Sequence, residues 1–242
     1  LVVNKNQVSL FWRLNKRSGE CEHIIANLFK IIRSQHYKEV VMELRAKIGE
    51  MDKKTFQAVK LAVLPAYTGS CICKGGHGKE NVVALSGYII LDFDNVEDIP
   101  GTKQYLTSLP FIAAVSLSCS GTGLFAIVPI ADPVNHFTEH WRALETFFRE
   151  RGLTVDKSCK DVTRARYVSY DPEVYTNENA EVWTAIEHSP TYTPPPVRLN
   201  SSKGLDKAID YILTNRIDVT RGRNNWLLIG SVLNSYYPDA EN

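Results

Sequence analysis

Apolar positions along the chain follow two periods. QVSLFWRL alternates around Val8, Leu10 and Trp12, the period of two that turns one face of a strand inward. Residues 22–48 switch to helical spacing, with Ile24, Ile25, Leu28, Ile31 and Ile32 followed by Val40, Val41 and Leu44. Asp52 is a candidate cap for a short helix through Val63, which Pro65 follows. Residues 68–81 (TGSCICKGGHGKEN) read as a glycine-rich loop or hairpin. Three apolar runs then predict strands: GYIILDFD at 87–94, FIAAVSLSC at 111–119 and GLFAIVPI at 123–130. VEDIPGTKQYLTSL, between the first two, has a weak helical pattern. Residues 136–152 predict a clearer amphipathic helix stopped by Gly152. RARYVSYD (164–171) and EVWTA (181–185) predict late strands.

Strands interleaved with helices predict an α+β (mixed α/β) domain over residues 1–187. Residues 188–204, rich in Pro and Ser, read as a linker. Residues 205–242 carry two helical patterns, with Asp218 and Thr220 as candidate caps of the second. The chain starts at Leu1 and stops at Asn242 soon after a helical pattern, so a piece of a longer protein is expected.

Composition narrows the class. With 242 residues, 44% apolar and 23% charged, the chain can bury a core without disulfide or metal staples. No apolar run approaches the roughly 20 residues of a membrane span, so no membrane partner is expected. LVVNKNQVSLFW lacks the basic segment, apolar core and cleavage site of a signal peptide. Cys21, Cys71, Cys73, Cys119 and Cys159 are an odd, scattered set that suits a reducing cytoplasm. A net charge of +1 argues against coating duplex DNA by bulk charge, but leaves room for a local basic groove.

Three segments carry candidate chemistry. Asp92 and Asp94 end the first apolar run. At i and i+2 of a strand they share a face, about 6.6 Å apart along the chain, and can flank divalent cations. The same spacing also describes a solvated strand end. Ser116–Gly123 (SLSCSGTG) joins two apolar strands. Its hydroxyls and backbone N–H groups suit phosphate oxygens, although a plain hairpin turn needs the same residues. Residues 155–167 (VDKSCKDVTRARY) place Asp156 and Asp161 ahead of Arg164 and Arg166, whose guanidinium forks suit phosphate. Cys71 and Cys73 with His77 imitate part of a zinc site. The spacing is too short and a fourth ligand is missing, so structural zinc is not favoured. Trp141, Phe147 and Phe148 have helical spacing and read as core.

In this order, the segments SGYIILDFDNV (86–96), SLSCSGTGLFAIVPI (116–130) and VDKSCKDVTRARYVSYDP (155–172) resemble the archaeo-eukaryotic primase (primase-polymerase) superfamily. The resemblance is nearest to the branch of VirE N-terminal domains in bacterial mobile-element and phage proteins. It covers roughly residues 60–185. It implies a catalytic core with a central, mainly antiparallel sheet flanked by helices. Asp92, Asp94 and Asp156 would hold two Mg²⁺ or Mn²⁺ ions, with Asp161 the rival third carboxylate. Ser118, Ser120 and Gly121 would lie by the incoming nucleoside triphosphate. Arg164 and Arg166 would contact nucleotide or template phosphate. The tail, from Asp218 to Gly230, resembles the start of the helical domain that follows such cores, with Arg221 and Arg223 as nucleic-acid contacts. One departure stands out: Phe125 occupies the place of the family's triphosphate-binding histidine. Lys74, His77 or Lys79 are candidate substitutes.

The resemblance implies a metal-dependent DNA primase or polymerase that uses nucleoside triphosphates and a single-stranded or primed DNA template, with a helicase or ATPase domain elsewhere in the full protein. Two alternatives stay open: a catalytically weak nucleic-acid-binding module of a larger replication protein, and a two-metal nuclease.

Overall fold

The computed structural model describes residues 1–12, 22–188, 207 and 210–215. The chain divides into two compact units, Leu1–Ser189 and Pro190–Asn242. In the second, Lys207 and residues 210–214 are helical; Asp218, Thr220, Arg221 and Arg223 lie outside the described residues, as does most of the expected linker.

The first unit is an α+β fold. In chain order its elements are β1 (Val2–Val3), β2 (Gln7–Phe11), β3 (His23–Asn27), α1 (Leu28–Arg33), α2 (Lys38–Ala46) and α3 (Lys53–Val63). There follow β4 (Ala66–Thr68), β5 (Cys71–Cys73), β6 (Val82–Leu85), β7 (Tyr88–Phe93), α4 (Ile99–Ser108) and β8 (Ala114–Leu117). The remainder are β9 (Leu124–Pro129), α5 (Pro133–Arg149), β10 (Ala165–Tyr167) and β11 (Tyr175–Thr176). Among the described residues no helix is long and apolar enough to cross a membrane.

One antiparallel sheet, ordered β11-β8-β9-β7, positions the candidate site. It is buried on both faces, which is why its strands read as unbroken apolar runs rather than alternating ones. Ile89, Leu91 and Phe93 of β7 join Leu106 of α4 and Trp141, Leu144 and Phe148 of α5 in one core. Tyr88 and Ile90 face the other way. There they meet Leu28 and Phe29 of α1, Val41 and Leu44 of α2, Phe56 of α3 and Tyr67 of β4. A second sheet, ordered β10-β4-β2-β3, supplies that layer, and a third joins β1, β6 and β5.

The predicted helix over 22–48 is corrected at its start. His23–Asn27 pairs antiparallel with β2 along its whole length, and helix begins only at Leu28. Ile24 and Ile25 are 47% and 58% exposed, so the apolar spacing that suggested a buried helical face does not mark core there. Asn27 stops the strand and caps α1, its side chain accepting from the Lys30 N–H at 3.1 Å. Asp52 caps α3 by accepting from the Thr55 N–H at 2.8 Å, as the sequence predicts. The late strands are shorter than expected. Residues 164–171 contribute only Ala165–Tyr167, and 181–185 contribute a single bridge from Trp183 to Ile130.

Candidate metal centre and hairpin tip

Asp92 continues the row of Tyr88 and Ile90 on the face of β7 that points toward α3 and β4, because strand side chains alternate. Its side chain is only 14% exposed. Two cross-strand neighbours sit on the same face: Phe125 of β9 opposite Asp92, and Ser116 of β8 opposite Phe125. The chain then returns from α5 and lays residues 155–160 alongside the end of β7. The Asp156 N–H donates to the Asp92 carbonyl at 2.9 Å. A single 3-10 turn, Lys157–Lys160, brings Cys159 round to the same place. One donor atom from each of Asp92, Asp156 and Cys159 lies within 4.8 Å of the other two.

Each acid is already engaged. Asp92 Oδ1 accepts from Arg166, whose side chain is 11% exposed and whose guanidinium lies 4.4 Å from the centre of the Phe125 ring. Burial draws the Arg166 guanidinium down to about 10, against a smaller upward pull from the Tyr67 phenol. It still carries its charge near neutrality. Asp92 Oδ2 faces the Cys159 thiol at 3.6 Å. Asp156 accepts from the Ser158 N–H at 2.9 Å and the Ser158 hydroxyl at 2.5 Å, with Arg164 at 3.5 Å. Burial pushes the Asp156 carboxyl up, but the two Ser158 hydrogen bonds and Arg164 together outweigh it and hold it below its usual value. Cys159 is pushed up to about 12, by burial first and by the Asp156 charge second. The donor set therefore fits a divalent cation: two carboxyl groups and a thiol converge in a partly buried place.

Asp94 is placed differently from the spacing argument. It lies just beyond β7, exposed, and outside the group of three. Its charge still acts on Cys159 and on Lys60, so it flanks the centre. Asp161 builds its own turn, accepting from the Thr163 N–H and hydroxyl, with Lys79 at 3.9 Å. It is not in the group of three that includes Asp156. Arg164 is half exposed, whereas Arg166 is buried against Asp92 and Phe125.

The Ser/Gly segment is a tight hairpin tip between β8 and β9. Ser118 and Gly123 close it by backbone, and Gly121 takes φ +76, where an L side chain is strained. A Cβ on Gly123 would come 2.4 Å from the Phe93 carbonyl, so only glycine lets the tip lie against the end of β7. The Thr122 carbonyl accepts from the Val96 N–H at 3.1 Å, joining the tip to the segment just after Asp94. The hydroxyls of Ser118, Ser120 and Thr122 form a row with spacings of 3.0 and 2.9 Å.

Two basic residues that no motif marks complete the surroundings. Arg45 of α2 donates to the carbonyls of Ser118, Cys119 and Tyr170 and to the Ser169 hydroxyl, tying the hairpin tip to the strand end after β10. Lys60 of α3 stands over the rings of Phe56 and Tyr167, at 5.0 and 5.3 Å from their centres. Burial lowers its ammonium, Cys119 and Asp94 raise it, and Arg164 and Arg166 lower it, which places it within reach of Asp94 and both arginines. In sequence, both residues look like the solvated face of an amphipathic helix. Cys71 and Cys73 are buried in β5 with their sulfurs 3.5 Å apart, and His77 stands edge-on to Phe11. An apolar cavity of about 320 Å³, lined in part by Leu10, Ile31, Tyr37 and Val168, shares no lining residue with the acids.

Residues 59–175 match the model of a known family, the BT4734-like N-terminal domain. That BT4734-like span runs from the end of α3 to β11. It contains Lys60, Asp92, Asp94, the hairpin tip, Asp156, Cys159, Arg164 and Arg166, and leaves Arg45 outside. No curated protein and no solved structure matches the chain.

Proposed function

We propose that the chain is a metal-dependent nucleotidyltransferase of the primase-polymerase type. It would act on nucleoside triphosphates and a DNA template within a cytoplasmic mobile-element or phage replication protein, beside a helicase or ATPase domain. The observation that carries the reading is the pairing of Asp92 with Asp156. These acids are far apart in sequence, joined here by a backbone hydrogen bond, and next to a hairpin tip that presents three hydroxyls.

Asp92 and Asp156 would hold Mg²⁺ or Mn²⁺, and Asp94 would reach a second ion from the strand end. Bound metal would neutralise phosphate charge and acidify an attacking 3′-hydroxyl. Around it, the Ser118 and Ser120 hydroxyls donate to phosphate oxygens, with Gly121 shaping the tip beside them. Arg164, with half its side chain in solvent, offers its fork to the same anion. Lys60 takes over the positive charge that Phe125 cannot provide, in place of the loop residues Lys74, His77 and Lys79. Arg221 and Arg223 would add template contacts from the second unit.

A second reading rests on Phe125 and on the arginines. The ring fills the histidine position beneath Arg166, and Arg164 and Arg166 already neutralise both paired acids. That arrangement supports a nucleic-acid-binding module with little catalysis.

The deciding experiment is triphosphate binding with Mn²⁺ by calorimetry, together with nucleotide incorporation on primed DNA. Wild type, Asp94→Ala and Asp92→Ala/Asp94→Ala are compared. Binding and incorporation lost in Asp94→Ala, whose exposed side chain leaves the fold intact, support the enzyme. Template binding without metal and no incorporation by the wild type support the module. Primer degradation without added nucleotides would replace both with a nuclease.

A further inference from the structure

We propose that Cys159 is a thiolate ligand of the cation held by Asp92 and Asp156, making a mixed oxygen–sulfur centre that selects Mn²⁺ and Zn²⁺-class ions over Mg²⁺. The inference rests on the reading of Asp92 and Asp156 as metal ligands, and it adds a residue that no motif brought forward.

The geometry is specific. The Cys159 sulfur sits 3.6 Å from Asp92 Oδ2. Two ligands on one tetrahedral ion, with a metal–sulfur bond of about 2.3 Å and a metal–oxygen bond of about 2.1 Å, stand about 3.6 Å apart. All three donors lie within 4.8 Å of one another, close enough for small side-chain rotations to bring them onto one ion. Cys159 is 3% exposed, with its sulfur turned toward the acids at the edge of an otherwise apolar cluster.

The surroundings have the form of an outer shell. Arg166 holds Asp92 Oδ1 and leaves Oδ2 facing the thiol. Ser158 donates to both oxygens of Asp156 and fixes the carboxylate plane, with Arg164 beside it. Ligating carboxylates are commonly oriented by such bonds. Three protein ligands leave a fourth position for a substrate oxygen, the pattern of a catalytic rather than a structural site. A thiolate among carboxylates favours borderline ions, because Mg²⁺ prefers an all-oxygen octahedron. As the sulfur–metal bond forms, the S–H proton leaves to solvent.

The test uses Co²⁺ as a spectroscopic probe on the full chain, with Mn²⁺ and Mg²⁺ as competitors. Wild type is expected to develop a near-ultraviolet sulfur-to-cobalt band, displaced by Mn²⁺ far more readily than by Mg²⁺. Cys159→Ser should lose the band and at least about tenfold in Co²⁺ affinity while still binding Mn²⁺. Cys71→Ser/Cys73→Ser should keep the band, which separates this centre from the buried thiol pair. Cys159→Ala, checked by near-ultraviolet circular dichroism, serves if the serine variant misfolds. A band that survives loss of Cys159, or Co²⁺ and Mn²⁺ binding without any band, overturns the thiolate while leaving the two acids as ligands. A folded wild type that binds none of the ions overturns both.

Discussion

Removing the Asp92 carboxylate should unfold the first unit far more readily than any test of catalysis alone would suggest. In Asp92→Ala the Arg166 guanidinium keeps its place under 11% exposure, against the Phe125 ring at 4.4 Å and the buried Tyr67, with no anion opposite. Breaking a buried pair by deleting one partner costs about 3–5 kcal/mol, because the remaining charge is left uncompensated. The Cys159 thiol also loses the acceptor at 3.6 Å. With a urea slope of about 2 kcal/mol/M, a loss of about 3 kcal/mol moves the midpoint down by about 1.5 M. Asp94→Ala, at an exposed position, should stay within about 0.5 kcal/mol of the wild type. Asp92→Asn keeps an acceptor for Arg166 and should fall between the two. Asp92→Ala/Arg166→Met replaces the pair by apolar groups and should recover most of the loss. The measurement is a urea titration of all five proteins by circular dichroism. Equal midpoints for Asp92→Ala and Asp94→Ala, or no recovery in the double variant, would refute the buried-pair argument. The same titration separates lost activity from lost fold in any assay of Asp92 variants.

The remaining predictions concern the hairpin and pH. Arg45→Ala removes donors to three carbonyls and a hydroxyl and should cost about 2–4 kcal/mol, with amide exchange of Ser118–Gly123 accelerating before that of β7. Unchanged exchange at the tip would rule out the tie. Gly123→Ala drives a methyl to 2.4 Å from the Phe93 carbonyl and should cost more than Gly49→Ala, whose Cβ meets nothing within 4 Å. Denaturation midpoints of the two variants decide it. Burial raises the Tyr67 phenol to about 12 despite Arg166, and burial with the Glu178 charge raises Tyr88 to about 12. Both are raised above their ordinary 10, so their contribution is complete below pH 10 and is lost as pH rises from 10 toward 12. Stability followed by urea titration across that range should fall by a few kcal/mol, and a flat profile would contradict the burial of both phenols.

What was legible in the sequence is what local rules encode. The apolar runs at 87–94 and 123–130 became β7 and β9, Asp52 capped α3, Gly152 took the left-handed φ of +77 after α5, and SGTG formed a hairpin tip. Each depends on residues a few positions apart. The strand at His23–Asn27 was not legible, because its apolar spacing satisfies a helix and only hydrogen bonding to β2 decides otherwise. The same limit applies to the site. Asp92 and Asp156 could be marked as acids, yet their meeting depends on the return of the chain from α5 along the end of β7. The pairing of Arg166 with Asp92, the placement of Lys60 over Phe56 and Tyr167, the clasp of Arg45 and the approach of Cys159 carry no local signal. Periodicity and turn chemistry act along the chain, so the sequence determined those elements and ends that local rules encode, such as β7, β9 and the cap of α3. Burial and charge pairing act through space, so which donors converge on Asp92 was decided only by the packing of the layers.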